Sequence, residues 1–426
     1  MSSDTPRREA RSCLQDVVVE RRQDGSILVR NAHPLGPYAE RMTDRLDHWA
    51  RHASYRTFLA QRDARGHWRN VTYAETQYFA RRIGQALLNR RLSVERPVLI
   101  LSGNDIEHAL LGIGAMYAGI PYVPVSPAYS LASDGFVALR HIFELMTPGL
   151  VFVSERRKFE QALNAVMPKD AELVVNESSP SGATDFSDLV NTEPEGAIEA
   201  ASAHVHATTI FKILFTDDAS ETPKGVIYTH RMWASSQEML RHCFPFLATE
   251  PPVLVDGLPW STSPGGNSSV GLALYNGGSL YIDHGNAQQF EETMRNLRGV
   301  APTVYCNTAP ALESLLPCLR SDARFRKHFF SRLKLLCCTE GELSTQVESN
   351  LLEEIGGDRT DAVALLTGFA PSEATSGALL KLQAWESRGP VGFLPAPGVE
   401  LKLVPSRSSG FELRLRGPNI TLGYWR

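Results

Sequence analysis

The sequence predicts an α/β protein whose parallel sheets are covered on both faces by helices, with a small β subdomain toward its end. Two observations carry this reading. Short apolar runs, among them Val98–Leu101, Leu150–Val153, Leu173–Val175, Ile213–Phe215, Val253–Val255, Leu333–Leu336 and Val363–Leu366, are separated by stretches of helical periodicity, which is the pattern of strands buried on two sides. From Gly392 onward the text changes to short strands with turns, Val399–Val404 and Phe411–Arg416, as a small β unit requires. Bulk composition agrees. Among 426 residues, 43% are hydrophobic and 21% charged, with 32 Gly and 26 Pro, a balance that excludes global disorder, collagen-like repeats and a coiled coil. The 43 Lys and Arg against 47 Asp and Glu leave a net charge of -4, so no global basic field exists to hold nucleic acid or an anionic membrane.

In chain order, residues 1–35 are polar and read as an irregular N-terminal segment. Residues 36–390 read as one large domain of two α/β halves, joined by an exposed connector near 176–207 that is rich in Ser, Thr, Glu, Ala and Pro. Residues 391–426 begin the β subdomain. The N-terminus has no apolar core of signal-peptide length, which gives a cytoplasmic location as the expectation. The uncharged run Ala109–Ser133 is interrupted by Gly119, Pro121, Pro124 and Pro127, so it reads as a buried helix, a turn and a strand rather than a membrane span. Six cysteines, at positions 13, 243, 306, 318, 337 and 338, include no Cys-x-x-Cys pair and read as reduced, mostly buried thiols rather than a zinc site or disulfide scaffold. Cys337 and Cys338, adjacent on a strand, should face opposite sides. His204 and His206 lack a third ligand nearby and read as solvated. Gly112-Ile-Gly114 lacks the third glycine of a dinucleotide fingerprint, and no Gly-x-Ser-x-Gly elbow supports a serine hydrolase.

The most informative stretch is Phe215–His230, a polar loop read as lying between a buried strand and a following helix. A loop of Thr, Ser and Gly in that setting wraps phosphates with backbone N–H groups and hydroxyls, and a lysine neutralises charge. It resembles the phosphate loop of adenylate-forming acyl-CoA synthetases, the AMP-dependent synthetase/ligase family, whose pattern is Thr-Ser-Gly-Ser-Thr-Gly-x-Pro-Lys-Gly; Thr216, Pro223, Lys224 and Gly225 match it. The resemblance runs along nearly the whole chain and is closest to the feruloyl-CoA synthetase branch, through Tyr122–Leu131, Tyr275–Asp283, Phe329–Leu336 and Leu394–Val404.

That resemblance implies two doubly wound α/β subdomains plus a small β subdomain, the N-terminal domain type of adenylate-forming enzymes. It implies ATP, Mg2+ and CoA, with an aromatic or acyl carboxylic acid as partner: the carboxylate attacks the α-phosphate, and CoA then displaces AMP. It puts Thr216, Ser220, Lys224, Gly225 and Ser372 on the nucleotide phosphates, Trp260, Gly265, Gly266 and Asn267 near the acyl group, and Glu373 with the metal. Glu373 read without the family could equally cap a helix. The family's ribose-binding Asp, hinge and mobile C-terminal domain with its adenylation lysine follow the block Gly417–Arg426, so that domain is expected to be absent and no catalytic residue is assigned.

Several motif positions depart from the family. Asp217, Asp218, Ala219, Ser220 and Glu221 stand where it has Ser, Gly, Ser, Thr and Gly; Thr262 and Pro264 replace His and Phe; Cys338, Glu340 and Glu342 replace a Tyr and two Gly; Ala370 replaces a Gly. Like charges at ~4 Å and an effective dielectric near 20 repel by roughly 4 kcal/mol, so acidic residues facing a triphosphate oppose its binding. The expectation is an acid–CoA ligase impaired in catalysis; the alternative is a non-catalytic acyl-binding or interaction protein on the same scaffold.

Overall fold

The computed structural model describes residues 13–131, 135–176, 182–216, 222–285, 290–339, 341–355, 363–369, 371–375, 377–383, 392–406 and 410–426. Among these residues the strands form three sheets. The first has seven, in the order Gly225–Thr229, Ile210–Phe215, Tyr122–Pro124, Val98–Ile100, Leu150–Val153, Glu172–Val175 and Thr184–Asp185. Its pairings are parallel except that of Ile210–Phe215 with Gly225–Thr229. Val98–Ile100 and Leu150–Val153 are buried at every position, which is why they are apolar without alternation.

The second sheet has nine strands, in the order Leu394–Pro395, Leu379–Gln383, Ala364–Phe369, Leu335–Thr339, Val304–Thr308, Val253–Asp256, Ser279–Ile282, Thr57–Arg62 and Trp68–Thr72. It is parallel from Ala364–Phe369 to Thr57–Arg62, with antiparallel strands at both ends. Helix Ile106–Ala118 is buried at every residue. The Asp105 carboxylate caps it by accepting from the His108 N–H at 2.6 Å, and Gly119, at φ 69°, ends it in the left-handed region. The helix, turn and strand expected over Ala109–Ser133 are therefore present as Ile106–Ala118, Gly119 and Tyr122–Pro124. No helix among the described residues is long and apolar enough to cross a membrane.

Three expectations need correction. Within residues 1–35, Val17–Arg21 and Ile27–Asn31 are not irregular: they form a hairpin that joins Glu400–Pro405 and Phe411–Arg416 in the third, antiparallel sheet. Its partners lie at the far end of the chain, so no local signal announces it. The segment 176–207 is not a bare connector, since its described part carries helices Phe186–Val190 and Ala197–Ala203 that bury Phe186, Leu189 and Ile198. Nor does it separate two halves: strands before and after it belong to the first sheet, while Thr57–Arg62 and Trp68–Thr72 enter the second before the first is built. Finally, the loop after Phe215 leads into strand Gly225–Thr229 rather than a helix. The helix His230–Cys243 begins only beyond that strand.

One side chain inside the first sheet breaks the apolar rule. Lys212, within Phe211-Lys-Ile-Leu-Phe215, is 0% exposed. Its ammonium lies 5.0 Å from the Trp233 ring centroid, 5.5 Å from Phe211, 5.7 Å from Tyr122 and 5.9 Å from Tyr228. It donates to the Gly266 carbonyl at 3.1 Å. Burial lowers its pKa from 10.5 to about 7, because the desolvated amine favours its neutral form. A lysine whose folded pKa lies below its unfolded one holds fewer protons when folded between those two values, so its contribution to stability improves as pH rises through that window. Replacing Lys212 by Met should therefore stabilise the fold by roughly 1–4 kcal/mol at and below pH 7, with the advantage shrinking toward pH 10. Urea unfolding of both proteins at pH 6 and pH 9.5 checks this; an advantage that does not shrink contradicts it.

Candidate active site

A cavity of about 300 Å³ opens against the second sheet. Its floor is made by side chains of the central strands, Cys306, Leu335, Cys337 and Leu366, and one wall by Leu240 of helix His230–Cys243, Phe244 at its end and Leu247 of the short helix Phe246–Thr249. At its rim stand Thr339, Gly341 and Ser372, in or just after the carboxyl ends of parallel strands, where α/β sheets place ligands. Two of the thiols that line the cavity are held from ionising. Hydrogen bonding to Cys337 and burial raise the Cys306 pKa well above its usual value, and burial raises Cys338 to about 11. Cys337 and Cys338 face opposite sides as expected, each joining a different apolar cluster.

The facing wall is the turn Pro264–Ser269, a single π-helical turn that leads into helix Val270–Asn276. Glycine is required at its start: a Cβ on Gly265 would lie 2.4 Å from the Leu258 carbonyl oxygen, and one on Gly266 would lie 2.3 Å from that of Trp260. The turn is held from outside its own chain segment. Lys212 donates to the Gly266 carbonyl, while the Trp233 indole at 2.7 Å and the Gln237 amide at 3.0 Å both donate to that of Asn267. Ser269 donates at 2.8 Å to Asp256, whose carboxyl burial raises to about 8.

Of the residues assigned to the acyl group, Trp260, Gly265, Gly266 and Asn267 are all buried in this wall, and the cavity surface itself is formed by their neighbours Thr262, Ser263, Pro264 and Ser268. The Trp260 ring packs edge-on against His108 at 5.2 Å. Thr262 and Pro264, which stand at the family's His and Phe positions, do border the cavity.

The residues assigned to phosphates partly converge. Thr216 and Lys224 close the neck of the polar loop, Thr216 N–H donating to the Lys224 carbonyl at 3.0 Å and Lys224 N–H to the Thr216 hydroxyl at 3.1 Å. Gly225 opens the next strand, and its carbonyl accepts from Trp425 N–H at 2.7 Å. Tyr424 then ties the two motifs together. Its hydroxyl donates to Glu373 at 2.5 Å, and the Lys224 ammonium sits 5.1 Å from its ring centroid. The Tyr228 hydroxyl donates to the Ser372 carbonyl. Glu373 does not cap a helix, because a turn and an isolated bridge, Ala374 with Ile420, follow it. Ser220, together with Asp217, Asp218, Ala219, Glu221, Glu340 and Ala370, lies outside the described residues. No group of three His, Cys, Asp or Glu side chains among the described residues is arranged to hold a metal ion.

Lys212 was not among the residues singled out from sequence. The available signal was a charged residue inside a run otherwise patterned for burial on both faces.

The sequence pattern of the AMP-binding enzyme family matches residues 46–425. Among curated relatives, the chain is 23% identical over 366 residues to a 4-hydroxybenzoate–CoA/benzoate–CoA ligase of Rhodopseudomonas palustris, covering 84% of this chain and 64% of that protein. It is 22% identical over 365 residues to 4-coumarate-CoA ligase 1 of Narcissus pseudonarcissus, with the same two coverages of 84% and 64%. The chain thus spans slightly less than two thirds of these relatives. Among solved structures, a benzoate CoA ligase from Burkholderia xenovorans shares the fold with a TM-score of 0.73 at 17% identity, covering 91% of this chain and 73% of that one. A match that reaches from Leu46 to Trp425 and takes in the loop neck, the cavity and the Tyr424 contacts leaves one conclusion: the chain belongs to the AMP-binding enzyme family.

Proposed function

We propose that this chain serves ATP-dependent acid–CoA ligation and binds an aromatic carboxylic acid of the benzoate or hydroxycinnamate class. One observation carries the reading: Ser372 lies at the rim of the apolar cavity, and its neighbour Glu373 is joined through Tyr424 to Lys224 of the loop. A ring in the cavity would direct its carboxylate toward that rim. About 300 Å³ is at the small end of ligand pockets and suits one substituted ring. A floor of Leu335, Leu366 and Cys306, whose thiol is held from ionising by a hydrogen bond and burial, favours the ring over a polar chain.

In this reading Thr216, Lys224 and Ser372 contact the ATP phosphates, with Ser220 and Gly225 beside them. The acid's carboxylate oxygen bonds to the α-phosphorus as pyrophosphate leaves. The CoA thiolate then attacks the acyl carbon and AMP departs. Glu373, a single part-exposed carboxylate, fits magnesium held through one carboxylate and substrate phosphates, where the ion would neutralise phosphate charge. The acidic loop positions Asp217, Asp218 and Glu221 weaken nucleotide affinity, so ligation by this chain alone is slow.

Calorimetry should find ATP·Mg binding no tighter than about the millimolar range. The triple change Asp217→Ser, Asp218→Gly and Glu221→Gly should tighten it at least about tenfold, since it removes like charge near phosphate. Micromolar affinity in the unaltered chain would refute the weakened loop.

Ligand-observed NMR with ferulate and benzoate should show saturation transfer, with dissociation constants of about 0.1–1 mM. Leu366→Trp, which fills the cavity from its floor, should abolish the signal while the circular dichroism spectrum stays unchanged. Transfer that survives this substitution places the acid elsewhere.

A further inference from the structure

Cys13 and Cys243 are 230 positions apart in sequence, yet their sulfurs lie 3.8 Å apart. Cys13 opens the short 3-10 turn that precedes strand Val17–Arg21, and it is half-buried. Cys243 is the last residue of helix His230–Cys243 and is buried. Both thiols are free. Their environments differ in the way a reactive pair requires. The hydrogen bond shared with Cys243 holds the Cys13 thiol below its usual pKa against the opposing effect of burial, and His33 adds to the lowering. The same hydrogen bond and deeper burial push Cys243 up. One sulfur is thus the accessible nucleophile and the other a sheltered neighbour, the arrangement of a sensing thiol beside a resolving one.

We propose that Cys13 and Cys243 form a peroxide-oxidisable pair, a modification site that closes to a disulfide between the N-terminal turn and the helix that walls the cavity. In the first step the Cys13 thiolate attacks one oxygen of hydrogen peroxide. An S–O bond forms, the O–O bond breaks and hydroxide leaves, giving the sulfenic acid. In the second step Cys243 sulfur attacks the Cys13 sulfur. The S–S bond forms, the S–O bond breaks, and the released hydroxide takes up the Cys243 proton as water. Two thiols lose two electrons and peroxide gains them. The sulfurs must approach from 3.8 Å to about 2.05 Å, a movement that the short turn at Cys13 can supply. The consequence reaches the cavity, because Leu240 lies one turn before Cys243, and Phe244 and Leu247 follow it. This inference does not depend on the ligase reading.

The test is a thiol map of the unaltered chain after brief treatment with submillimolar hydrogen peroxide, alkylation of the remaining thiols and peptide mass spectrometry. The expected result is a peptide pair joined at Cys13 and Cys243, about 2 Da lighter than the two free peptides together, and lost on adding dithiothreitol. Cys306, Cys337 and Cys338 should be recovered as alkylated thiols once the chain is unfolded. In Cys243→Ser the same treatment should leave a dimedone-trappable sulfenic acid at Cys13. Two results overturn the proposal: Cys13 and Cys243 both recovered as free thiols under peroxide that oxidises Cys318, or Cys13 oxidised in the unaltered chain while Cys243 remains free. The map of the unaltered chain decides even if the variant fails to fold.

Discussion

The wall formed by Pro264–Ser269 depends on hydrogen bonds that come from other parts of the fold. A π-helical turn is a costly conformation that persists where its surroundings fix it, and here the surroundings are Lys212, Trp233 and Gln237 donating to two successive carbonyls, with Asp256 taking the hydroxyl of Ser269. Each donor comes from the first sheet or the helix after it, whereas the cavity floor belongs to the second sheet. The shape of the cavity is therefore a statement about how the two layers meet. A buried amine on a backbone carbonyl is an expensive tie, and four surrounding rings offset part of that cost through their negative faces.

The layers are also interlocked by chain order. Thr57–Arg62 and Trp68–Thr72 take their places in the second sheet, the chain then crosses to build the first from Val98 to Thr229, and it returns at Val253. Helix Ile106–Ala118, buried on all sides, fills the space this crossing creates. Tyr424 and Trp425 close the arrangement by pairing back onto the strand that follows the polar loop.

Much of this was legible in the sequence for a simple reason. Strands buried on both faces must be apolar without alternation, so Val98–Ile100, Leu150–Val153 and Val253–Val255 announce themselves. The hairpin Val17–Asn31 does not, because its first strand is largely exposed and its stability comes from partners remote in sequence. Lys212 contradicts its own run, and the Gly266 carbonyl together with the rings of Phe211, Tyr122, Tyr228 and Trp233 explains how it is tolerated. The Pro-Lys-Gly context drew attention to Lys224 and the family pattern to Ser372 and Glu373, and the fold brings Lys224 and Glu373 to one tyrosine. What joins them, Tyr424, has no motif of its own and is visible only once the chain's last strand-like residues fold back. Trp260 and the glycines are buried behind the cavity wall, and the residues that touch the cavity are their neighbours. A close backbone approach needs glycine behind a wall as much as within a pocket.

The small antiparallel sheet carries a consequence of its own. Arg30 is paired with Glu400, roughly 370 residues downstream. A ribosome adding about 5–20 residues per second needs on the order of 20–70 s to deliver the second partner after the first emerges. During that interval Ile27–Asn31 has an unpaired edge and nothing to match it, which is the condition that invites pairing with a neighbouring nascent chain. Arg30 lies on that waiting edge, and Glu20, Arg21 and Arg22 stand at the end of the first strand and the start of the turn; their charge disfavours pairing with a second copy.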